Sequence, residues 1–155
     1  MAFGSDHTVL FERLDEAVRF APKPTAELFA KIIAGACIRI PILGKSGKAA
    51  GLGGLVERRA WTDAALALIE LELPSWKLRR LIWEEGEWFC SLSRQPNLPP
   101  ALDNTADASH EVMPLAILRA FLQARRRAAA VPHPVAAVPA VDPAPVGLLC
   151  CDNFA

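Results

Sequence analysis

The chain carries no excess of charge of either sign, since 17 Lys and Arg balance 17 Asp and Glu across 155 residues. Wholesale attraction to nucleic acid or to an acidic membrane rests on a large surplus of Lys and Arg, so only local basic patches are left open. Nor is there a run of about 20 apolar residues to span a bilayer. The longest uncharged stretch, 128–141, is interrupted by His133 and by Pro132, Pro134 and Pro139. A secretory signal would need an apolar segment within the first twenty residues, yet these hold Asp6, Glu12, Arg13, Asp15, Glu16 and Arg19. The expectation is a soluble, cytoplasmic protein with no membrane span.

Cysteine is sparse, and Cys37, Cys90, Cys150 and Cys151 show no CxxC spacing; in a reducing compartment they read as free thiols rather than a disulfide scaffold. Nucleotide fingerprints are missing too. The triplet Gly44, Lys45, Ser46 has Arg39 where a P-loop requires its first glycine, and a dinucleotide fingerprint begun at Gly51 and Gly53 meets Val56 where Gly or Ala is required. No cofactor is implied, and no recurrence at a period of 20–50 residues suggests a repeat protein.

What the chain has is a hydrophobic fraction of 52%, inflated by 27 alanines of which none lies between Trp76 and Pro100. Its length suits one domain. The spacing of Leu10, Leu14, Ala17, Val18 and Ala21 predicts a helix over 6–21, ended by Pro22 and Pro24. Thr25 is placed to cap the next helix, whose stripe is Leu28, Phe29, Ile32, Ile33, Ala36 and Cys37 and which Pro41 stops. Residues 39–59 are rich in Gly and basic residues and read as a connector or binding loop. Thr62 is then expected to cap a helix over 63–73, although the alternation at its end also fits a strand.

Residues 76–93 are two Trp-, Ile-, Phe- and Leu-rich segments meeting at Glu84, Glu85 and Gly86, which predicts a hairpin. A two-residue loop would pair Ile82 with Phe89 and Leu78 with Ser93. A three-residue loop with Gly86 left-handed would pair Ile82 with Trp88 and Leu78 with Leu92. The second register aligns apolar residues on one face and is the expected one. Residues 102–111 are expected to form a helical turn, and 114–127 a helix with Pro114 in its first turn and Arg125, Arg126 and Arg127 at its dipole-favoured end. The fold class is therefore α+β: one domain, 1–127, made of a helical hairpin (6–38), the connector (39–59) and a helix, β-hairpin and helix (60–127). Residues 128–155 form a low-complexity, Pro/Ala-rich tail expected to be extended and disordered. Up to Arg127 there are 17 basic and 15 acidic residues, so the charge of the folded part is +2.

Several side-chain groupings invite a chemical reading. Asp103, Asp107, His110 and Glu111 would share one face of a helix and form a metal or acid/base cluster; a solvated acidic face is the plainer reading, because no second His or Cys cluster completes the ligand set. Cys90 with His110 and an Asp would make a cysteine hydrolase only with a lowered thiol pKa and an oxyanion hole, and a buried core cysteine is favoured. Lys45, Lys48, Arg79, Arg80, Arg125, Arg126 and Arg127 are the candidate contacts to nucleic acid or another anion, partly cancelled by Glu84, Glu85 and Glu87. Trp76 and Trp83 are the candidate partner anchors. The leading expectation is a non-enzymatic protein-interaction or adaptor module. Nucleic-acid or anion binding is the alternative, and a metal-dependent enzyme the weaker one.

Overall fold

In the computed structural model, residues 3–43 and 47–130 are described; Lys45, the tail from residue 131 onward, and Cys150 and Cys151 lie outside the described residues. The described residues form helices α1 (Phe3–Arg19), α2 (Ala26–Ala36), α3 (Arg39–Leu43), α4 (Lys48–Glu57) and α5 (Trp61–Glu72), strands β1 (Lys77–Glu84), β2 (Glu87–Ser93) and β3 (Ala106–His110), and helix α6 (Met113–Ala130). The strands make one antiparallel sheet of order β1-β2-β3, so the fold is α+β.

α6 organises the core. Pro114, Leu115, Ala116, Ile117 and Leu118 are all buried, as are Phe121, Leu122 and Ala124, because this helix packs on β2 and β3 on one side and on α1 and α5 on the other. It runs three residues past its expected end at Arg127. α1 presents Phe11, Leu14 and Val18 to the core, while Leu10 and Ala17 face outward. The 11, 14, 18 spacing is as helical as the expected stripe, and the larger Phe11 decides which face turns in. α2 follows its expected stripe, and the Thr25 hydroxyl accepts from the Leu28 N–H at 3.2 Å, as an N-cap should.

Several elements correct the sequence reading. The Gly-rich segment is no loop where it is described: Pro41 sits inside the short α3, and α4 spans Gly51, Gly53 and Gly54. Helix propensity is poor there, and α4 exists because it packs on α5, with Leu52 inserted into the core. α5 starts at Trp61 with Ala60 as its N-cap, making no side-chain cap. The expected cap, Thr62, lies inside the helix with its hydroxyl 4.0 Å from Met113 Sδ. Trp61 stacks on Phe29 at 5.6 Å between ring centroids, and that contact supports the earlier start.

α4 ends in a Schellman motif. The Arg59 N–H donates to the Val56 carbonyl at 3.1 Å and the Ala60 N–H to the Leu55 carbonyl at 2.9 Å, with Arg59 at φ 59°. An L side chain is disfavoured in that left-handed position. Arg59→Gly is therefore expected to raise stability by about 0.5–1 kcal/mol, part of the relief being offset by the looser unfolded chain. Urea denaturation followed by tryptophan fluorescence reads this; a loss of stability would mean that the Arg59 side chain contributes more than its backbone costs.

The hairpin combines both candidate registers. Next to the loop, Glu84 pairs with Glu87, Trp83 with Trp88, Ile82 with Phe89 and Leu81 with Cys90, while Leu78 still pairs with Leu92 because a bulge at Arg79 absorbs one residue. The expected three-residue loop is thus replaced by a two-residue loop, with Glu85 at φ 52° and Gly86 at φ 89°, the signs a type I′ turn requires. β1 consequently turns Leu81 and Trp83, not Ile82, to the side that carries Trp88, Cys90 and Leu92. The predicted helical turn at 102–111 is also overturned: Ala106–His110 is the third strand, paired with β2 from Leu92↔Ala106 to Trp88↔His110.

Candidate functional site

The strand at 106–110 disperses the acidic cluster, because alternate residues point to opposite faces. Ala106 and His110 are buried on the α6 side, while Asp107 is exposed on the other face. Asp103 lies in the preceding loop, where Arg79 Nη1 and the Ser93 hydroxyl (2.6 Å) donate to its Oδ2. Asp107 accepts from the hydroxyls of Ser91 at 2.6 Å and Thr105 at 3.0 Å. Among the described residues no group of three His, Cys, Asp or Glu side chains is placed to hold a metal ion.

His110 is a structural clamp. The Val112 N–H donates to Nδ1 at 2.9 Å, so the ring proton sits on Nε2, which donates to the Arg19 carbonyl at 3.2 Å at the end of α1. Arg119 works beside it, gripping both oxygens of Asp15 at 3.0 and 3.2 Å and the Ser109 carbonyl at 2.7 Å. These two residues line a cleft of about 640 Å³, together with Arg19, Phe20, Glu87, Ser109 and Glu111. Its best polar groups are already engaged in holding α1, β3 and α6 together.

Both described thiols are insulated. Cys90, 0% exposed beneath the sheet, is pushed up to about 12 by burial and by the nearby Asp107 carboxylate. Burial, with the Glu72 carboxylate, likewise raises Cys37 to about 12, while Arg125 opposes. Thiolates are the reactive form, and neither cysteine is poised to become one.

The basic candidates are separated. Consecutive helical residues point about 100° apart, and the three arginines of α6 go three ways. Arg125 turns inward to the Ala36 carbonyl at 2.7 Å and to Glu72 at 3.7 Å. Arg126 reaches Glu12 of α1 at 3.6 Å, and Arg127 donates to Asn104 Oδ1 and the Thr105 carbonyl. Arg79 is held by Asp103 and the Leu98 carbonyl. Lys48 and Arg80 are exposed.

The Arg125 and Glu72 pairing escaped the sequence reading altogether. Glu72, buried at the end of α5, accepts from the backbone N–H groups of Ile38 (2.6 Å), Arg39 (2.9 Å) and Ile40 (3.2 Å). It thereby supplies a negative charge to the start of α3 while Arg125 satisfies the last carbonyl of α2. No local pattern announces a carboxylate that acts more than thirty residues away.

The aromatic candidates divide. Trp76 is 4% exposed with the Arg94 guanidinium over its ring, so it offers no surface to a partner. Trp83 is 55% exposed, edge-on to Trp88 with centroids 5.5 Å apart. Around it, Leu81 is half-buried and Ile82 is 36% exposed. β1 is an outer strand of the sheet, with β2 on one side and no strand on the other among the described residues. In a two-residue hairpin the residues flanking the loop exchange both backbone hydrogen bonds. Glu84, Ile82 and Arg80 therefore direct their peptide groups toward β2, and Leu81 and Trp83 direct theirs off the open edge. The chain compared with protein-family models, curated proteins and solved structures matches none of them.

Proposed function

We propose that this protein is a non-enzymatic interaction module that binds polypeptide along the open edge of β1, with Trp83 as the apolar anchor. One observation carries the reading: a solvent-exposed Trp83 and Ile82 on a strand whose outward peptide groups have no strand beside them among the described residues. Such an edge gives a partner main-chain hydrogen bonds, while side-chain pockets on alternate residues provide selectivity. A large, stiff aromatic ring loses little conformational entropy on binding and contributes much buried area. The engagement of His110, Arg119, Asp103 and Asp107 in holding the fold, and the insulation of both described thiols, favour this over a catalytic role.

Iodide quenching of tryptophan fluorescence tests the anchor. Dilute protein should show a quenchable fraction that disappears in Trp83→Phe, and adding a bound partner should shield it. Full shielding of every tryptophan in the dilute protein would remove the proposed anchor.

A further inference from the structure

Resting on that reading, we infer that the partner of the β1 edge is a second copy of this chain, paired antiparallel about Ile82 to give a continuous six-stranded sheet. The backbone restricts the choice of register. In an antiparallel ladder, directly opposed residues either both direct their peptide groups across the gap or both direct them away. Leu81 and Trp83 face the open edge and Ile82 does not, so a self-paired β1 must place odd-numbered residues opposite odd-numbered ones.

Between the bulge at Arg79 and the loop, over residues 80–84, three symmetric registers meet that condition, centred on Leu81, Ile82 or Trp83. Centred on Leu81, Arg80 meets Ile82, which sets a charge against an apolar side chain. Centred on Trp83, Leu81 meets Glu85 and Ile82 meets Glu84, with the same defect. Centred on Ile82, Arg80 of each copy meets Glu84 of the other, Leu81 meets Trp83, and Ile82 meets itself. This is the register that matches charge with opposite charge and apolar with apolar at every position from 80 to 84.

The pairing also covers what is exposed. Leu81 and Trp83 lie on the face that carries Trp88 and Cys90, so the partner's Leu81 would close over the 55% exposed Trp83 ring. On the opposite face the two Ile82 side chains meet beside Phe89, flanked by two Arg80–Glu84 pairs. Exposed ion pairs contribute little affinity but penalise wrong registers. The symmetry is isologous and closes at two copies, because pairing consumes the β1 edge of each.

Sedimentation equilibrium on the full chain, at about 1 to 100 µM to span a weak-to-moderate association, decides the matter. The expected result is a concentration-dependent mass approaching two chains. Ile82→Lys, which opposes two ammonium groups at the centre, should give the mass of one chain throughout. Arg80→Glu should weaken association about tenfold by setting like charges opposite each other, and Arg80→Glu with Glu84→Arg should restore it. All these positions are exposed or edge positions, and far-UV circular dichroism checks that the fold is kept; if Ile82→Lys loses it, the charge reversal and its rescue decide alone. A wild-type chain of single mass at about 100 µM, or a dimer indifferent to these variants, overturns the second-copy inference. If that monomer still captures another polypeptide and loses it on Trp83→Lys, the interaction reading survives with a different partner. If it does not, both fail.

Discussion

Raising the pH from 9 towards 12 should unfold this protein through two buried thiols. In the folded chain Cys37 and Cys90 hold their protons up to about 12, against an ordinary value of 9.0, chiefly because burial penalises a thiolate. Once unfolded, both lose them from pH 9 upward. The unfolded state then binds fewer protons than the folded one, so stability is intact below pH 9 and falls as pH rises to about 12. Each thiol contributes a slope of about 1.4 kcal/mol per pH unit, and so about 4 kcal/mol over the window. Two such losses are comparable with the 5–15 kcal/mol that holds a typical domain together, on the order of the whole stability. The chain has no tyrosine, so no phenol titrates in the same window. Urea midpoints measured at intervals from pH 8.5 to 11 should fall steeply in the wild type, less in Cys37→Ala or Cys90→Ala, and least in the double variant. An undiminished slope in the double variant would assign the alkaline loss to other groups.

Glu72→Leu should cost about 3–5 kcal/mol at pH 7, since removing one partner of a buried pair strands the other. Glu72 answers three backbone N–H groups and the Arg125 guanidinium at the corner between α2 and α3. Without it, Arg125 keeps one bond to the Ala36 carbonyl and a buried charge with no counter-charge. Arg125→Leu should also destabilise, and the double replacement should cost less than the sum of the two, because an apolar pair leaves no stranded charge. Strict additivity in urea denaturation would show that the two residues act separately.

The fold was legible where local pattern decides it. Pro22 and Pro24 after α1, the Thr25 cap, the stripe of α2 and the meeting of two apolar segments at Gly86 each have a short-range cause that survives folding, whereas Pro41, expected to stop a helix, is taken into α3. β3 was hidden because Ala106, Asp107, Ala108, Ser109 and His110 have weak strand preference; pairing with β2, the Ser91–Asp107 bond and the Ser109–Glu87 bond make it a strand. α4 was hidden for the same reason, its glycines being overruled by packing on α5. The bulge at Arg79 is visible only once Asp103 and Leu98 are seen holding that side chain. The candidate site fared similarly. Trp76 and Trp83 are indistinguishable by type, and only the fold buries one and exposes the other, while the acidic cluster depended on a helix that pairing replaced.

Self-pairing of β1 is tested most directly by hydrogen exchange at the backbone amides of Leu81 and Trp83, the two groups that point off the open edge. The account predicts that in the full chain both are protected, increasingly so with protein concentration, and that both exchange freely in Ile82→Lys while Ile82 and Glu84, bonded toward β2, stay as they were in each. Free exchange of the Leu81 and Trp83 amides at every concentration would contradict it.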